Sequence, residues 1–400
     1  MTGVYDTLAV RPLINAAGLM TRYGGGPLPA EVVQAMAEAA GVCVRMEELQ
    51  AAAGQEIAAA TGAEAGYVTS GAAAGITLAT AACLAGLDVA RMDRLPDTTG
   101  MPNEIVVQRA HRNAYDHAVR AAGGRFVEVG YLGYPGAGGT HAWQIEAAIG
   151  ERTAALYWAM IEAQGVVPLE EFCRIAHRHG LPVIVDAAAA LPPPENLRRF
   201  ITAGADLVSF SGGKAIQGPQ ASGILCGRRD LIASVLLQNQ DMDVHPEVWS
   251  FGDQYRAAGV LAGPPHQGIG RGFKVGKEEI AGLVVALRRY VQRDHAAERT
   301  RWERLLQAVL DGIGTLPHVQ ADFDGPTNRP VPRLQLTLDE AALGCTAFEV
   351  IRRLLDGTPA LAVGEGRARQ GVLVINPMAL QEEDVDPLVS RLRAVLGGVR

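Results

Sequence analysis

Short apolar runs alternate with longer helical patterns over the first 260 residues. The apolar runs predict strands, which we place at 65–68, 104–107, 125–129, 154–161, 182–185 and 206–210. Helical spacing and closing glycines predict the intervening helices at 29–40, 46–60, 72–85, 113–122, 143–149, 169–179 and 197–203. The run 182–185 is apolar throughout, which is expected of a buried parallel strand. The alternation predicts an α/β three-layer fold with a mostly parallel sheet.

A different pattern begins near residue 263, where Gly and Pro become frequent. Beyond this hinge the pattern predicts one long helix over 278–310, strands at 331–338 and 372–375, and helices at 348–355 and 383–396. We therefore predict three parts. They are an N-terminal arm and helix over 1–45, a large domain over 46–265, and a small C-terminal α+β domain over 270–400.

The charge balance narrows the class of partner. The chain has 400 residues, with 36 Lys and Arg against 43 Asp and Glu, and a net charge of -7. This balance argues against nucleic acid as a partner, because backbone phosphates require a basic surface. No signal-peptide pattern is present at the start, and the most apolar stretch, 72–87, is too short and mixed to span a bilayer. We expect a cytoplasmic protein with no membrane partner and no metal site, since the His residues form no ligand motif.

One candidate phosphate site follows the first predicted strand of the large domain. Thr69–Gly75 leaves a strand and opens a helix, and it contains Ser70, Gly71 and Ala72. Backbone N–H groups at a helix N-terminus, together with a Ser hydroxyl, bind phosphate. The same small residues also suit a simple tight turn.

Asp186 is the second candidate, because it ends the apolar run 182–185. A carboxylate at this position is costly unless it is paired. It either caps the next turn or holds a proton on a heteroaromatic nitrogen. The second role is the one that a pyridoxal 5′-phosphate (PLP) pyridinium requires.

Lys214 is the third candidate, at the end of the segment Ser209–Lys214. Hydroxyls of Ser209 and Ser211 and two glycines precede it, a setting that suits a Schiff-base amine as well as an ordinary surface lysine. A Walker-type phosphate loop is excluded, since Ala215 stands where Ser or Thr is needed. His111 follows the strand 104–107, where its ring could stack on a cofactor.

Together these segments resemble fold-type I PLP-dependent enzymes. The resemblance narrows to the group that contains selenocysteine synthase (L-seryl-tRNA selenium transferase) and D-glucosaminate-6-phosphate ammonia-lyase, and it covers nearly the whole chain. The segments that carry it are 11–18, 61–75, 95–101, and 211–214 followed by 218–220. The Leu-Pro-Asp-Thr-Thr-Gly loop and the His111-Arg112 pair are more similar to the ammonia-lyase branch.

The resemblance implies a role for each matching residue. Lys214 corresponds to the Schiff-base lysine, Asp186 to the pyridinium partner and His111 to the ring-stacking residue, and these three are the expected catalytic residues. The remaining cofactor-binding residues it implies are Ser70, Gly71, Ala72 and Ser211 at the phosphate, Gln164 at the phenolic oxygen, Ala188 at the other ring face, and Ser209.

The implied activity is β-elimination from a 2-amino-3-hydroxy acid, such as an amino sugar acid or its phosphate, giving a 2-keto-3-deoxy acid and ammonia. Racemisation, aldol cleavage and transamination begin from the same complex and stay open, as does a ligand-binding protein without catalysis. Arginine binds carboxylate and phosphate bidentately. The candidates for the substrate are Arg22, Arg112, Arg271, Arg333 and Arg367.

Two expectations concern partners. The branch that acts on tRNA usually carries an extra N-terminal region, whereas here the shared segment begins at Ile14, so tRNA chemistry is not expected. PLP enzymes of this fold usually build each active site from two subunits. We therefore expect a homodimer or a higher homo-oligomer acting on a small molecule.

Overall fold

The computed structural model describes residues 3–132, 139–161, 163–249, 261–324 and 330–397. Contacts group the chain into two compact units, each with its own hydrophobic core. The larger unit runs from Leu28 to Val291, and the smaller unit combines the residues up to Pro27 with those from Gln292 onward. Among the described residues, no helix is both long and apolar enough to cross a membrane.

The strands and helices are numbered in chain order. The strands are β1 (Leu13–Ala16), β2 (Ala65–Thr69), β3 (Glu104–Gln108), β4 (Arg125–Val129), β5 (Thr153–Ala159), β6 (Val183–Asp186), β7 (Leu207–Ser211), β8 (Gly223–Gly227), β9 (Val319–Phe323), β10 (Leu334–Leu338), β11 (Ala360–Val363) and β12 (Val372–Ile375). The α-helices are α1 (Val4–Thr7), α2 (Ala30–Ala40), α3 (Met46–Thr61), α4 (Ala72–Ala85), α5 (Val89–Arg94), α6 (His117–Ala121), α7 (Ala142–Ala148), α8 (Leu169–Arg178), α9 (Asn196–Thr202), α10 (Arg229–Asn239), α11 (Lys277–Gln292), α12 (His295–Ile313), α13 (Glu340–Leu343), α14 (Ala347–Asp356) and α15 (Val385–Leu396).

A seven-stranded sheet in the order β2-β8-β7-β6-β5-β3-β4 forms the centre of the larger unit. The neighbours from β7 to β4 are parallel, and β8 runs antiparallel to both β2 and β7. The predicted α/β fold with a mostly parallel sheet is confirmed. The sequence did not predict β8, which reverses direction because it follows β7 through a loop of residues 212–222 rather than a crossover helix.

Helices cover both faces of this sheet and complete three layers. On one face, α4 and α10 pack over a core that includes Tyr157, Ile184 and Leu207. On the other face, Phe200 of α9 contacts the rings of Trp158 and Phe210. Since successive strand residues point to opposite faces, Tyr157 and Trp158 belong to different layers.

The smaller unit is built on two small sheets. β12, β10 and β9 form an antiparallel sheet, and β1 pairs in parallel with β11. The N-terminal segment therefore belongs to this unit through β1, where Ile14 joins the same core as Leu336 and Leu388. The division into an arm, a large domain and a small domain at residues 45 and 265–270 stays a prediction.

The single helix predicted over 278–310 is wrong. α11 ends at Gln292 and α12 begins at His295. Between them, Asp294 accepts hydrogen bonds from the backbone N–H groups of Ala296 and Ala297, at 3.1 and 2.9 Å. An Asp side chain competes for backbone donors in this way, so it starts a new helix where the helical spacing alone predicts continuity.

α3 approaches β2 closely because two glycines face each other. A Cβ on Gly54 would lie 2.4 Å from the carbonyl oxygen of Gly66, and a Cβ on Gly66 would lie 2.4 Å from Cγ2 of Ile57. The obstacle at Gly54 is backbone of the central sheet, which cannot move aside as a flexible side chain can.

We predict that Gly54→Ala lowers the free energy of unfolding by about 1–3 kcal/mol, the usual cost of overpacking. The loss is expected even though helix propensity favours Ala by up to about 1 kcal/mol. Denaturant unfolding would measure it, with Gly150→Ala as the control because a Cβ there has no atom within 4 Å. An unchanged midpoint for Gly54→Ala would show that the helix can shift without cost.

Candidate active site

The carboxyl ends of the parallel strands bring the candidate segments to one edge of the sheet. Thr69 of β2 pairs with Gly223 of β8, and Gly223 pairs with Ser211 of β7. Asp186 at the end of β6 pairs with Ser209. Ligands of open α/β sheets bind outside this edge, so the predicted phosphate loop, the carboxylate and the lysine loop share the expected location.

The N-terminus of α4 faces open space. Gly71 precedes the helix with φ of 132°, and no side chain caps the first turn. A Cβ on Gly71 would have no atom within 4 Å, whereas a Cβ on Gly223 would lie 2.9 Å from the nitrogen of Ala72. The β8 backbone therefore supports the loop from one side and leaves its N–H groups clear on the other, which is the arrangement of an anion site.

The two serines near this loop have different partners. Ser70 donates its hydroxyl hydrogen to the carbonyl oxygen of Phe273 at 2.8 Å and is half-buried. Ser209 is fully buried, and its hydroxyl donates to the carbonyl oxygen of Ala72 at 3.0 Å. Ser209 thus holds the loop in position from below. Ser211, at the end of β7, is half-buried and lies beside Gly223.

Asp186 is half-buried and receives a hydrogen bond at each carboxylate oxygen. The hydroxyl of Tyr157 lies 3.1 Å from Oδ2, and the backbone N–H of Ala188 donates to Oδ1 at 3.0 Å. Asp186 caps the turn at Ala188, as the first of its two readings predicts, and its carboxylate lies at the sheet edge. Its role beside a heteroaromatic nitrogen stays a prediction. Tyr157 comes from β5, which neighbours β6.

Lys214 lies in the loop between β7 and β8 and is half-buried. Burial lowers the pKa of its amine from the ordinary value, and the negative charge of Asp186 opposes that shift. The loop reaches this place because Gly212 packs tightly, since a Cβ there would lie 2.2 Å from Oγ of Ser222. Lys214 and Asp186 therefore lie at the same edge of the sheet, where the neighbouring strands β7 and β6 end.

His111 is fully buried at the end of a short 3₁₀ helix that follows β3. Its Nδ1 accepts a hydrogen bond from the backbone N–H of Ala159 at 3.4 Å, and its ring meets Trp158 edge-on with centroids 4.9 Å apart. Burial lowers the pKa of His111 to about 4, so the ring is neutral near pH 7. The proton then belongs on Nε2, which has no hydrogen-bond partner within the described part of the chain.

Two further predicted cofactor residues, Gln164 and Ala188, lie in the segments that follow β5 and β6. Gln164 is exposed in the turn that follows β5. Ala188 is half-buried two residues beyond Asp186. Met160, next to the strand end that His111 contacts, donates its backbone N–H to the carbonyl oxygen of Asp186 at 2.8 Å. The end of β5 thus contacts both His111 and Asp186.

Two of the five candidate arginines lie in the larger unit. Arg112 forms ion pairs with Asp116 at 2.6 Å and with Glu128, and its guanidinium lies over the ring of Phe126. Its donors are therefore largely committed to the protein. Arg271 forms an ion pair with Asp241 at 3.1 Å.

The other three arginines lie in the smaller unit. Arg22 pairs with Glu365 at 2.7 Å, and Arg367 lies 3.7 Å from Asp324. The backbone of Asp324 in turn donates to the carbonyl oxygen of Arg333 at 2.8 Å. These contacts connect Arg367 and Arg333 through Asp324, while Arg22 has its own partner in Glu365.

Sequence reasoning missed Tyr157 and Asn113. Tyr157 is a polar group inside an otherwise apolar strand, 154–161 in the prediction, and its hydroxyl contacts the carboxylate of Asp186. The alternation of strand residues could have placed the two on one face, but the order of β5 and β6 in the sheet was needed to make them neighbours. The side chain of Asn113 contacts the Tyr157 hydroxyl, and nothing in the sequence signalled it beyond its position near His111.

Comparison with known families decides the relationship. The sequence profile of the family described as SelA, L-seryl-tRNA selenium transferase, matches residues 13–243, which is more than half of the chain. The chain belongs to the SelA family. This confirms the resemblance predicted from the motifs.

Two relatives of this SelA-family chain cover almost all of its length. A 5′-C-glycyluridine monooxygenase-decarboxylase from Streptomyces sp is 36% identical over 404 residues, with 98% of this chain and 92% of the relative covered. A D-glucosaminate-6-phosphate ammonia lyase from Salmonella typhimurium is 34% identical over 400 residues, with 98% and 97% covered. Both relatives are enzymes.

A solved structure of a D-glucosaminate-6-phosphate ammonia-lyase matches the whole of both chains, with a TM-score of 0.81 and 33% identity. The fold-type I assignment is confirmed by this likeness. The SelA family and the neighbours of this fold are PLP-dependent enzymes, so the prediction of an enzyme is confirmed as well.

Burial of His111 predicts a pH-dependent loss of stability. Its pKa is about 4 in the folded chain against an ordinary value of 6.5, so between these values only the unfolded chain takes up the proton. The free energy of unfolding is unaffected above pH 6.5 and falls as the pH drops toward 4. At 1.36 kcal/mol per pKa unit, we expect a loss of about 2 kcal/mol between pH 7 and pH 5.

Urea unfolding of the cofactor-free wild type and of His111→Phe would isolate this loss. The wild type should lose about 2 kcal/mol more than the variant over the same pH interval. Equal losses in the two proteins would mean that His111 is protonated in the folded chain.

Proposed function

We propose that the chain is a PLP-dependent ammonia-lyase that carries its cofactor on Lys214. The observation that carries this proposal is that Asp186 and the loop of Lys214 lie where the neighbouring parallel strands β6 and β7 end, at the carboxyl edge of the sheet. The amine suits the aldehyde carbon of PLP, and the carboxylate suits the ring nitrogen. The likeness to an ammonia-lyase over the full length of the chain supports the same reaction.

The residues at the sheet edge fit PLP in three respects. The uncapped N-terminus of α4, with open space at Gly71, suits the phosphate, which Ser70, Ala72 and Ser211 would help to hold. Asp186 suits the ring nitrogen. The buried Nε2–H of His111 is a donor without a partner among the described residues, and such a group is expected to face a ligand.

When bound, PLP supplies an electron sink for negative charge at the substrate Cα. The side chains supply positioning and proton transfer. Lys214 is the base that takes the Cα proton, and the pKa that burial lowers helps to keep its amine neutral for this step. The neutral ring of His111 would pack against the bound cofactor, with the Nε2–H available as a donor. Gln164, Ala188 and Ser209 complete the proposed binding residues.

The proposed substrate is a 2-amino-3-hydroxy acid, such as an amino sugar acid or its phosphate. Loss of the Cα proton and of the C3 hydroxyl removes one water molecule. Hydrolysis of the resulting enamine takes up one water molecule and releases ammonia, leaving a 2-keto-3-deoxy acid. The reaction is balanced without an oxidant, and it needs only the base and the electron sink that the site provides.

A sugar-acid phosphate also needs cationic groups for its carboxylate and its phosphate. Arg271 is the best-supported candidate in the larger unit. It belongs to the short 3₁₀ helix Ile269–Phe273, which contacts the anion loop through the hydrogen bond from Ser70 to Phe273. Arg22, Arg333 and Arg367 are the candidates in the smaller unit, and the commitments of Arg112 make it the weakest of the five.

A second candidate reaction is an oxidative decarboxylation. It is favoured by the relative of 36% identity, whose name describes a monooxygenase-decarboxylase acting on 5′-C-glycyluridine. Racemisation, aldol cleavage and transamination use the same base and electron sink. Ammonia release without uptake of oxygen distinguishes the elimination from the oxidative reaction.

The proposed setting is a cytoplasmic homodimer or higher homo-oligomer acting on a small molecule. Family likeness supports the assembly, and a net charge of -7 is consistent with the absence of a nucleic-acid partner.

Lys214 can be tested without ambiguity because the chain contains only three lysines, Lys214, Lys274 and Lys277. We expect borohydride reduction in the presence of PLP to leave the cofactor on the peptide of Lys214. Lys214→Ala should lose the visible absorbance band and at least about 10²-fold of ammonia release. Lys277→Ala is the matched control and should keep both. A label on Lys274 or Lys277 alone would refute the assignment.

The reaction is tested by incubating the holoenzyme with D-glucosaminate 6-phosphate. Ammonia and a keto acid in equal amounts, with no oxygen uptake, are expected. Oxygen uptake with release of carbon dioxide would favour the second candidate, and a spectral change without ammonia would favour racemisation, aldol cleavage or transamination.

Arg271→Ala should raise KM for the phosphorylated substrate about 10-fold or more with little change in kcat, as expected when a bidentate anion contact is lost. Steady-state kinetics would measure this, with Arg91→Ala as a control, since Arg91 forms only a surface pair with Asp88. An unchanged KM would remove Arg271 from the site, and a weaker affinity for PLP would assign it to the cofactor instead.

A further inference from the structure

Tyr157 is a buried polar residue to which the proposed reaction assigns no role. It is 1% exposed, and its ring packs edge-on against Phe126 with centroids 5.7 Å apart. Its hydroxyl lies 3.1 Å from Oδ2 of Asp186. Tyr157 pairs in register with Ile184, two residues before Asp186, so the two side chains point to the same face of the sheet.

The direction of this hydrogen bond is fixed by its surroundings. An ionised Asp186 can only accept, so the hydroxyl of Tyr157 must donate. Burial and the charge of Asp186 raise the pKa of Tyr157 well above its ordinary value, and the side chain of Asn113 contacts the same hydroxyl and partly offsets this shift. Tyr157 therefore stays a phenol near neutral pH, and its hydroxyl donates to Asp186.

The other groups around Asp186 explain why this donor matters. The backbone N–H of Ala188 occupies Oδ1, and the hydroxyl of Tyr157 occupies Oδ2. With one donor on each oxygen, the plane of the carboxylate is fixed. A carboxylate fixed in this way can hold one orientation toward a protonated ring nitrogen.

We propose that Tyr157 is a positioning residue that acts through Asp186, holding the carboxylate in the orientation that keeps the proton on the cofactor ring nitrogen. This inference rests on the proposed PLP function. Asn113 contacts both Tyr157 and His111. Its side chain contacts the Tyr157 hydroxyl, and its amide donates to the carbonyl oxygen of His111 at 3.2 Å. The segment that carries His111 and the carboxylate of Asp186 are thereby linked through Tyr157.

Tyr157→Phe removes the donor and keeps the ring. We expect kcat to fall roughly 10-fold, the usual loss when a hydrogen bond to a charged group is removed, with KM for the substrate unchanged. The decisive readout is spectroscopic. In holoenzyme loaded with PLP labelled with ¹⁵N at the ring nitrogen, the ¹⁵N resonance should move toward that of the unprotonated pyridine.

Tyr67→Phe is the matched control. Tyr67 is 2% exposed in the same sheet, and its hydroxyl lies 2.9 Å from Oδ1 of Asn239 rather than from a charged group. Its loss should lower stability to a similar degree and leave the ¹⁵N resonance and kcat unchanged. If Tyr67→Phe and Tyr157→Phe behave alike, Tyr157 is only a structural residue and the inference is overturned.

A double-mutant cycle tests the route of action. If Tyr157 acts through Asp186, Tyr157→Phe should have no further effect on kcat or on the ¹⁵N resonance in an Asp186→Asn background. Equal effects in both backgrounds would overturn the inference while leaving the PLP function intact. A wild type that neither binds PLP nor shows a labelled Lys214 would overturn both together.

Discussion

The charge of Asp186 is the constraint on which the candidate site depends. A carboxylate at the end of a buried strand is costly unless donors surround it. Here two donors meet it, the Tyr157 hydroxyl from β5 and the Ala188 N–H from the turn after β6, and Lys214 follows β7, the strand beside β6. These groups share one location because neighbouring parallel strands end at one edge of the sheet, so the strand order and the chemistry are parts of one arrangement.

A site for an anion lies at the N-terminus of α4, where backbone N–H groups rather than side chains provide the donors. Fully buried Ser209 joins the two regions, because it pairs with Asp186 in register and its hydroxyl bonds to the carbonyl oxygen of Ala72. His111, which contacts the end of β5 at Ala159, is kept neutral by burial, because burial lowers its pKa. The site therefore offers a carboxylate at Asp186, a neutral ring at His111 and an anion site at the N-terminus of α4. This set suits a ligand with a basic ring nitrogen at one end and a phosphate at the other.

Much of this arrangement could be predicted from the sequence, because the signals were local. Lys214, Asp186 and the loop at Gly71 each follow an apolar strand, and parallel strands bring their carboxyl ends to one edge. Strand β8 was not predicted, because its reversal depends on the loop after β7. The break before α12 was not predicted either, because a single capping residue, Asp294, interrupts a continuous helical pattern. Tyr157 could not be assigned a role, since its contact with Asp186 depends on which strands are neighbours and not on spacing along the chain.

The two relatives of similar identity catalyse reactions with different names, and the structure suggests where such a difference can arise. The amine, the carboxylate and the anion loop all lie in the larger unit, and the proposed function assigns to them the steps that every candidate reaction shares. How a substrate carboxylate is held decides which bond at Cα is oriented for cleavage. A change in the residues that hold the substrate can therefore change the reaction without disturbing the contacts of Asp186.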